Sequence, residues 1–294
     1  WRPAGTWDNI DLIIRTSNKA EYMLGGKEKV VERTSFRMAQ PTLSGNRFRE
    51  ATLGRTRLAI DWIKKDDVLL DIGCSDGVLV SAAHSRCQRA VGIDVDERML
   101  QTARTNCPEA EFHHCSADDL PFDDGTFSVI SMLDVLEHVP DPQASLKEVD
   151  RVLRPGGRLI LSVPHRGTFG FMDAQRSLLF AAGRKIVLGK RDPVPEHRHF
   201  LLDEVIELVG PNYEIGRMHR GGFLLFPLCG YFLMFTDNMN VPAMSRAIRK
   251  LEEQDFQRDY GSRSWHLMVE LHKRSSPRSA EARSASPASA TAMI

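Results

Sequence analysis

Residues 71–77 read DIGCSDG, directly behind the apolar run Val68-Leu69-Leu70. An apolar strand that runs into a glycine turn is the usual opening of a ligand site in an α/β sheet, and the ligand is often a phosphate. Here Asp71 and Asp76 flank the turn and would repel one. A dinucleotide turn also wants Gly-x-Gly-x-x-Gly, whereas this turn holds only Gly73 and Gly77. The residues ask for a ligand that is cationic rather than phosphorylated.

Outward from the turn, the chain alternates between two periodicities. Apolar runs at 67–72, 89–95, 110–115, 127–133 and 158–163 read as strands. Between them, 77–87, 97–107 and 142–153 carry apolar residues at helical spacing, the last stopped by Pro155-Gly156-Gly157. Buried strands separated by helices of this length imply parallel pairing through crossover helices, hence a doubly wound α/β sheet. Such sheets bind ligands beyond the carboxyl ends of their strands. Further on, 212–220 and 264–272 are strand-like, and LLDEVIELVG (201–210) is helical, with Asp203 and Glu204 near its start.

S-Adenosylmethionine meets the turn's requirement, since it carries a sulfonium and an ammonium group and no phosphate. Gly73 permits a tight turn with close backbone approach, and Gly77 lets the next helix begin against the strand. Asp94 closes the second strand about twenty residues past the turn, where a carboxylate accepts ribose hydroxyls. The competing reading makes Asp94 a cap for the helix that follows.

At this point LLDIGCSDG, AVGIDVDERMLQTA and SADDLPFDDGTFSVISMLDVLEHVPDPQASLKEVDRVLRPGGRLILSVP, in order, resemble the class I S-adenosylmethionine-dependent methyltransferases. The likeness is nearest to the subgroup acting on small molecules and lipids such as quinone precursors. It covers 67–164 closely and 212–220 and 264–272 loosely. It implies a Rossmann-like seven-stranded sheet, mostly parallel with an antiparallel final strand. It also implies an enzyme that moves a methyl group by in-line displacement. Asp71, Gly73, Cys74, Ser75 and Gly77 fall on the family's first motif, and Asp94 with Val95 on the ribose-binding strand end. Ser116 and Ala117 fall beside the adenine, where the family often has Asp-Ala, so Asp118 or the Ala117 backbone takes up that hydrogen bonding. Ser75 stands where a glycine is usual. Leu133 and Asp134 flank the methionine end and the acceptor.

A base is needed only where the acceptor must lose a proton. His165, His138 and Asp134 are the candidates to provide it, with Glu137, His197 and His199 on the same rim. DVLEHV (134–139) also admits one side of a divalent-metal site, completed by a histidine of EHRHF (196–200). We expect no metal, with Glu137 and His138 bonding nearby loops, and read HHC (113–115) as structural. His197 and His199 are expected to cap the helix behind them or to line the pocket.

Two later runs suit a hydrophobic acceptor. Residues 167–191 mix aromatic and aliphatic side chains with Arg176, Arg184, Lys185, Lys190 and Arg191, and FLLFPLCGYFLMF (223–235) carries no charge. They read either as a lid over a small-molecule or lipid-like acceptor or as a peripheral contact with a membrane surface. Pro227, Gly230 and the short length argue against a membrane span.

The 294 residues hold 39 basic and 39 acidic side chains, which does not indicate general nucleic-acid binding. Acid dominates 116–150 and base dominates 151–191. Five cysteines without a Cys-x-x-Cys pair fit free thiols in a reducing, cytoplasmic setting. We divide the chain into an extension (1–45), a methyltransferase domain (46–274; cofactor core 67–164, acceptor-covering part 165–261) and a disordered Ser/Ala-rich tail (275–294). The other classes weighed are a nicotinamide oxidoreductase, an inactive cofactor-binding regulator and a metal-assisted O-methyltransferase.

Overall fold

The computed structural model describes residues 54–167, 198–223 and 241–275, together with positions 229, 232 and 236. The expected 1–45 extension, nearly all of 167–191, most of 223–235, His197 and the tail beyond 275 lie outside the described residues.

Helix α1 (Gly54–Trp62) precedes strand β1 (Val68–Ile72). Then come α2 (Val78–His84), β2 (Arg89–Asp94), α3 (Glu97–Asn106), β3 (Glu111–His114), β4 (Phe127–Leu133), α4 (Pro142–Val152) and β5 (Leu153–Pro164). After 198 follow α5 (Leu202–Val209), β6 (Tyr213–His219), α6 (Pro242–Phe256), a short 3₁₀ turn (Gly261–Arg263) and β7 (His266–Lys273). The seven strands form one sheet in the order β3-β2-β1-β4-β5-β7-β6. β1 to β5 pair in parallel, and β7 runs antiparallel between β5 and β6. This is the expected doubly wound sheet with an antiparallel end.

Strand alternation decides the layers. Leu70, Ile72, Val91, Ile93, Ile130, Met132, Leu159 and Leu161 share one core with Leu146, Val149 and Val152 of α4 and Val205 of α5. Their neighbours Leu69, Ala90, Val129, Ile160 and Met268 share the other with side chains of α1, α2 and α3. Both faces of the central strands are therefore covered, which is why these strands read as continuous apolar runs. Each fully buried Leu, Ile or Val contributes about 1.5–3 kcal/mol.

Two helix starts are fixed locally. Asp96 accepts the Arg98 N–H at 2.9 Å, and Asp141 accepts those of Gln143 and Ala144 at 2.9 and 3.1 Å. Several boundaries differ from expectation: the 77–87 helix spans Val78–His84, and β5 begins at Leu153 rather than 158. α4 ends at Val152, before the Pro-Gly-Gly run, because Leu153 already pairs with Phe127. Residues 154–157 then bulge out, and regular pairing resumes at Val129 with Arg158.

The amino ends of the strands enclose a charged network. The Arg158 guanidinium binds Asp67, Glu270 Oε1 at 2.6 Å and the Trp62 carbonyl at 2.7 Å. Arg217 adds bonds of 2.6 and 2.7 Å to Glu270, and Ser128 Oγ donates to Asp67 at 2.9 Å. Burial alone would raise the Glu270 carboxyl, but the hydrogen bonds from Arg217, Arg158 and His272 outweigh it and hold the group at about 2.

Candidate functional site

The sheet's order reverses between β1 and β4, and the carboxyl ends of those strands form the crevice where such folds bind ligands. Leaving β1, the chain turns at Gly73 with φ +72°, and the Gly73 and Cys74 N–H groups donate to Ile93 O at 2.8 and 2.9 Å. A Cβ on Gly73 would lie 2.4 Å from Val135 Cγ2, so the turn is packed directly against the segment after β4. Gly77 opens α2 with φ +80°, and a Cβ there would lie 2.9 Å from Ala103 Cβ and 3.1 Å from the Phe112 ring. The close approach at Gly77 is thus to α3 and β3.

Gly73 and Ser75 are exposed at the rim, whereas the Cys74 side chain is buried in the core beneath and burial pushes its thiol well up. Only the Cys74 backbone is available to a ligand. The Asp94 carboxylate closes the turn, accepting the Ser75 N–H at 2.8 Å and the Asp96 N–H at 2.9 Å. Asp96, not Asp94, caps α3, so the competing reading of Asp94 falls. Val95 beside it is 59% exposed, an apolar surface next to the candidate ribose acid. The Cys115 N–H bonds Asp94 O at 3.3 Å and brings Ser116, Ala117 and Asp118 to the same edge, half-buried, buried and exposed in turn. His114 holds Val95 O at 3.0 Å, and His113 packs edge-on against Phe122, so HHC is structural as expected.

Asp71 does not stand in the turn. It pairs within the sheet with Gly92 and Ser131, and its buried carboxyl accepts the Ser131 hydroxyl at 2.7 Å. Burial raises this carboxyl to about 7, the Ser131 bond opposing and the Asp94 charge adding to the rise. It lies beneath the turn, in the sheet. Asp76 is half-buried, and burial raises its carboxyl as well.

Across the crevice, Asp134 adopts φ +54°, uncommon for a residue with a side chain. Several contacts hold it there. Its N–H reaches Ser162 Oγ at 3.1 Å, its Oδ1 accepts the Ser162 hydroxyl at 2.7 Å, and its Oδ2 meets Arg55 Nε at 2.7 Å. His266 Nδ1 lies 3.8 Å from Oδ1. Leu133 sits half-buried just before it. Glu137, one turn on, is buried, and burial followed by the Asp134 charge pushes its carboxyl far above the usual range. His138 is half-exposed, with Nε2 3.9 Å from Glu137 Oε1, and burial lowers its imidazole while the Asp134 charge opposes.

The histidines divide. His165 is buried, with Nδ1 2.8 Å from Ser264 Oγ, and burial lowers its ring. Its described polar contacts tie the end of β5 to the residues before β7. His199 is no cap for α5, whose N-cap residue is Leu201; Glu204 Oε2 accepts the Leu201 N–H at 2.8 Å. Between His197 and His199, Arg198 reaches back to Val139 O at 2.9 Å and Pro140 O at 3.2 Å, anchoring the segment that carries Glu137 and His138. Among the described residues, no group of three or more His, Cys, Asp or Glu is placed to hold a metal ion. Sequence reasoning missed Arg55, Ser131, Ser162 and Arg198. Ser131 and Ser162, polar residues inside apolar strand runs, carried a readable signal; Arg55 and Arg198 carried none.

Comparison with known proteins bears on the fold and the family. Residues 70–161 match a family model described as Methyltransferase domain. A ubiquinone biosynthesis O-methyltransferase from Idiomarina loihiensis is 35% identical over 178 residues, 58% of this chain and 70% of that protein. One from Aromatoleum aromaticum is 32% identical over 127 residues, 40% of this chain and 54% of that protein. The chain thus spans about half the length of the first curated relatives it matches. The YcgJ protein of Bacillus subtilis shares the fold at 18% identity and TM-score 0.51, over 75% of this chain and 98% of that one. A Thermotoga maritima S-adenosylmethionine-dependent methyltransferase does so at 18% identity and TM-score 0.50, over 77% and 91%. With a curated relative matched over more than two thirds of its length, this chain belongs to the S-adenosylmethionine-dependent methyltransferases.

Proposed function

We propose that the protein transfers a methyl group from S-adenosylmethionine to a hydroxyl of a hydrophobic small-molecule or lipid-like acceptor. The observation that carries this reading is the exposed glycine turn closed on Asp94 and packed against the Asp134 segment, at the reversal of strand order. The turn suits the cofactor because its backbone is bare at Gly73 and Ser75 and the nearby side chains are acidic. Asp71, Gly73, Cys74, Ser75 and Gly77 would hold the methionine part, Asp71 from beneath and the others through the backbone. Asp94 would take the ribose, Val95 with Ser116, Ala117 and Asp118 the adenine, and Leu133 the sulfur end. When bound, the cofactor supplies an electrophilic methyl group that an acceptor oxygen displaces in line.

The chain's own part is to align the acceptor, exclude water and take up its proton. Asp134 is our first choice for that proton, because it is partly exposed at the crevice and held in place by Ser162 and Arg55. His138 is second, and His165 falls behind because Ser264 engages its ring. The hydroxyl acceptor draws support from the relatives named for O-methylation in ubiquinone biosynthesis. No helix among the described residues is long and apolar enough to cross a membrane.

Calorimetry with S-adenosylmethionine, S-adenosylhomocysteine and NAD, followed by tritiated-methyl transfer into fractionated cell extract, tests the reading. We expect tight binding of the first two ligands and label in the lipid or small-molecule fraction. Binding of NAD alone would overturn the family's cofactor for this chain. Cofactor binding with no labelled fraction would favour an inactive regulator. Flotation with anionic vesicles tests the peripheral membrane contact, which low-salt protein that stays unbound would remove.

A further inference from the structure

Arg55 lies upstream of every motif of the methyltransferase core, in the first turn of α1, yet its guanidinium ends at the carboxyl end of β4. Nε lies 2.7 Å from Asp134 Oδ2, with the arginine 40% and the aspartate 18% exposed. The other carboxylate oxygen is taken by the Ser162 hydroxyl at 2.7 Å, so the group is gripped from two sides. Such a grip is needed, because Asp134 sits at φ +54°, where a residue with a Cβ is strained. α1 is itself fastened: the Gly54 N–H donates to Glu253 of α6, and a Cβ on Gly54 would touch the Phe256 ring at 3.6 Å. The Arg55 charge also bears on Glu137 and Glu252, two carboxyls raised chiefly by burial. One guanidinium therefore serves several acids, and it sits closest to the one that faces the crevice.

We infer that Arg55 is a positioning residue for methyl transfer, supplied by the helix ahead of the core, which holds the Asp134 carboxylate where an acceptor hydroxyl can deliver its proton. The inference rests on the hydroxyl-acceptor reading above for its chemistry and on the Arg55–Asp134 contact for its structure. In the step, the acceptor O–H bond breaks, its proton passes to Asp134 Oδ, and the freed oxygen pair forms the bond to the methyl carbon as the sulfonium leaves as a thioether. Arg55 touches neither reactant and acts through Asp134.

The experiment uses the full chain as wild type, Arg55→Met, Arg55→Lys, Asp134→Asn and the Arg55→Met/Asp134→Asn double variant. The acceptor probe is the extract fraction that the wild type labels from tritiated S-adenosylmethionine. Arg55→Met should lower the labelling rate at saturating cofactor about 100-fold, the low end for losing a positioned base, with S-adenosylhomocysteine affinity within about threefold of wild type. Asp134→Asn should lose at least as much, and adding Arg55→Met to it should cost less than about twofold more. Arg55→Lys, which keeps the charge without the fork, should recover part of the rate. Amide hydrogen exchange of 134–138 in the S-adenosylhomocysteine complex needs no acceptor, and Arg55→Met should speed it about tenfold while β1 and β2 keep their protection. Unchanged exchange, or independent losses that multiply in the double variant, would overturn the inference. A wild type that labels no fraction, with exchange altered as expected, would count against the proposed reaction and leave the positioning contact standing.

Discussion

Replacing Arg158 with Met should cost the ligand-free protein about 3–4 kcal/mol at pH 7, and the cost should shrink in acid. The side chain is almost fully buried and joins two carboxylates and a carbonyl. Removing one partner of a buried ion pair costs about 3–5 kcal/mol, because the partner is left charged and poorly solvated. The low end applies here. Glu270 keeps Arg217, and Asp67 keeps Ser128 Oγ and the Lys64 N–H at 2.6 Å. The loss of a hydrogen bond to Trp62 O adds about 1 kcal/mol. The Glu270 carboxyl, held at about 2 against an ordinary 4.5, gives the pH signature. A carboxyl depressed by that much contributes about 3 kcal/mol, present above pH 4.5 and lost as pH falls toward 2. Once Glu270 takes a proton it needs no guanidinium, so the gap between wild type and variant narrows to what the Asp67 and Trp62 contacts contribute. Urea unfolding at pH 7, 4 and 3, followed by circular dichroism, measures the gap. A gap below 1 kcal/mol at pH 7, or one that stays constant across the three, would refute the account.

Asp94→Ala should weaken S-adenosylhomocysteine binding by about 1.5–3 kcal/mol by calorimetry, the range for bonds to a charged group; unchanged affinity would remove Asp94 from the site. Asp71→Asn should gain stability over wild type as pH rises. The wild-type carboxyl, raised from 3.8 to about 7, contributes stability that is intact below pH 3.8 and gone above about pH 7. The ligand-free variant should therefore pull ahead by up to about 4 kcal/mol between those limits, and parallel denaturation profiles would refute this. Gly73→Val should abolish cofactor binding and also destabilise the fold, since its Cβ would strike Val135; a stable variant with normal affinity would place the ligand elsewhere. Methyl transfer should survive EDTA, and loss restored by magnesium or zinc would recast Glu137 and His138 as ligands.

The strands and most helices were legible because their burial is written in apolar runs whose lengths separate strand from helix. What ran into trouble was longer in reach. Pro155-Gly156-Gly157 reads as a helix stop, but the pairing of Leu153 with Phe127, far away in sequence, had already ended the helix. At the site, the glycine turn and Asp94 were readable because backbone freedom and a strand-end acid are local features. Arg55 was not, since nothing near it in sequence shows that its guanidinium meets Asp134. The Ser264 partner of His165 was unreadable for the same reason, lying 99 residues away in the approach to β7.

The place of β7 has a consequence for how the chain is made. Among the described residues β6 reaches the sheet only through β7, and β7 must slot between two strands that precede it in the chain. Until residue 273 has left the ribosome, β5 has an open edge, β6 has no neighbour, and Arg158 and Arg217 wait for Glu270. A nascent chain halted anywhere before His266 would thus present the apolar flank of β5 to its surroundings, as an invitation to chaperones or to aggregation. The domain commits to its final form only when β7 is in place.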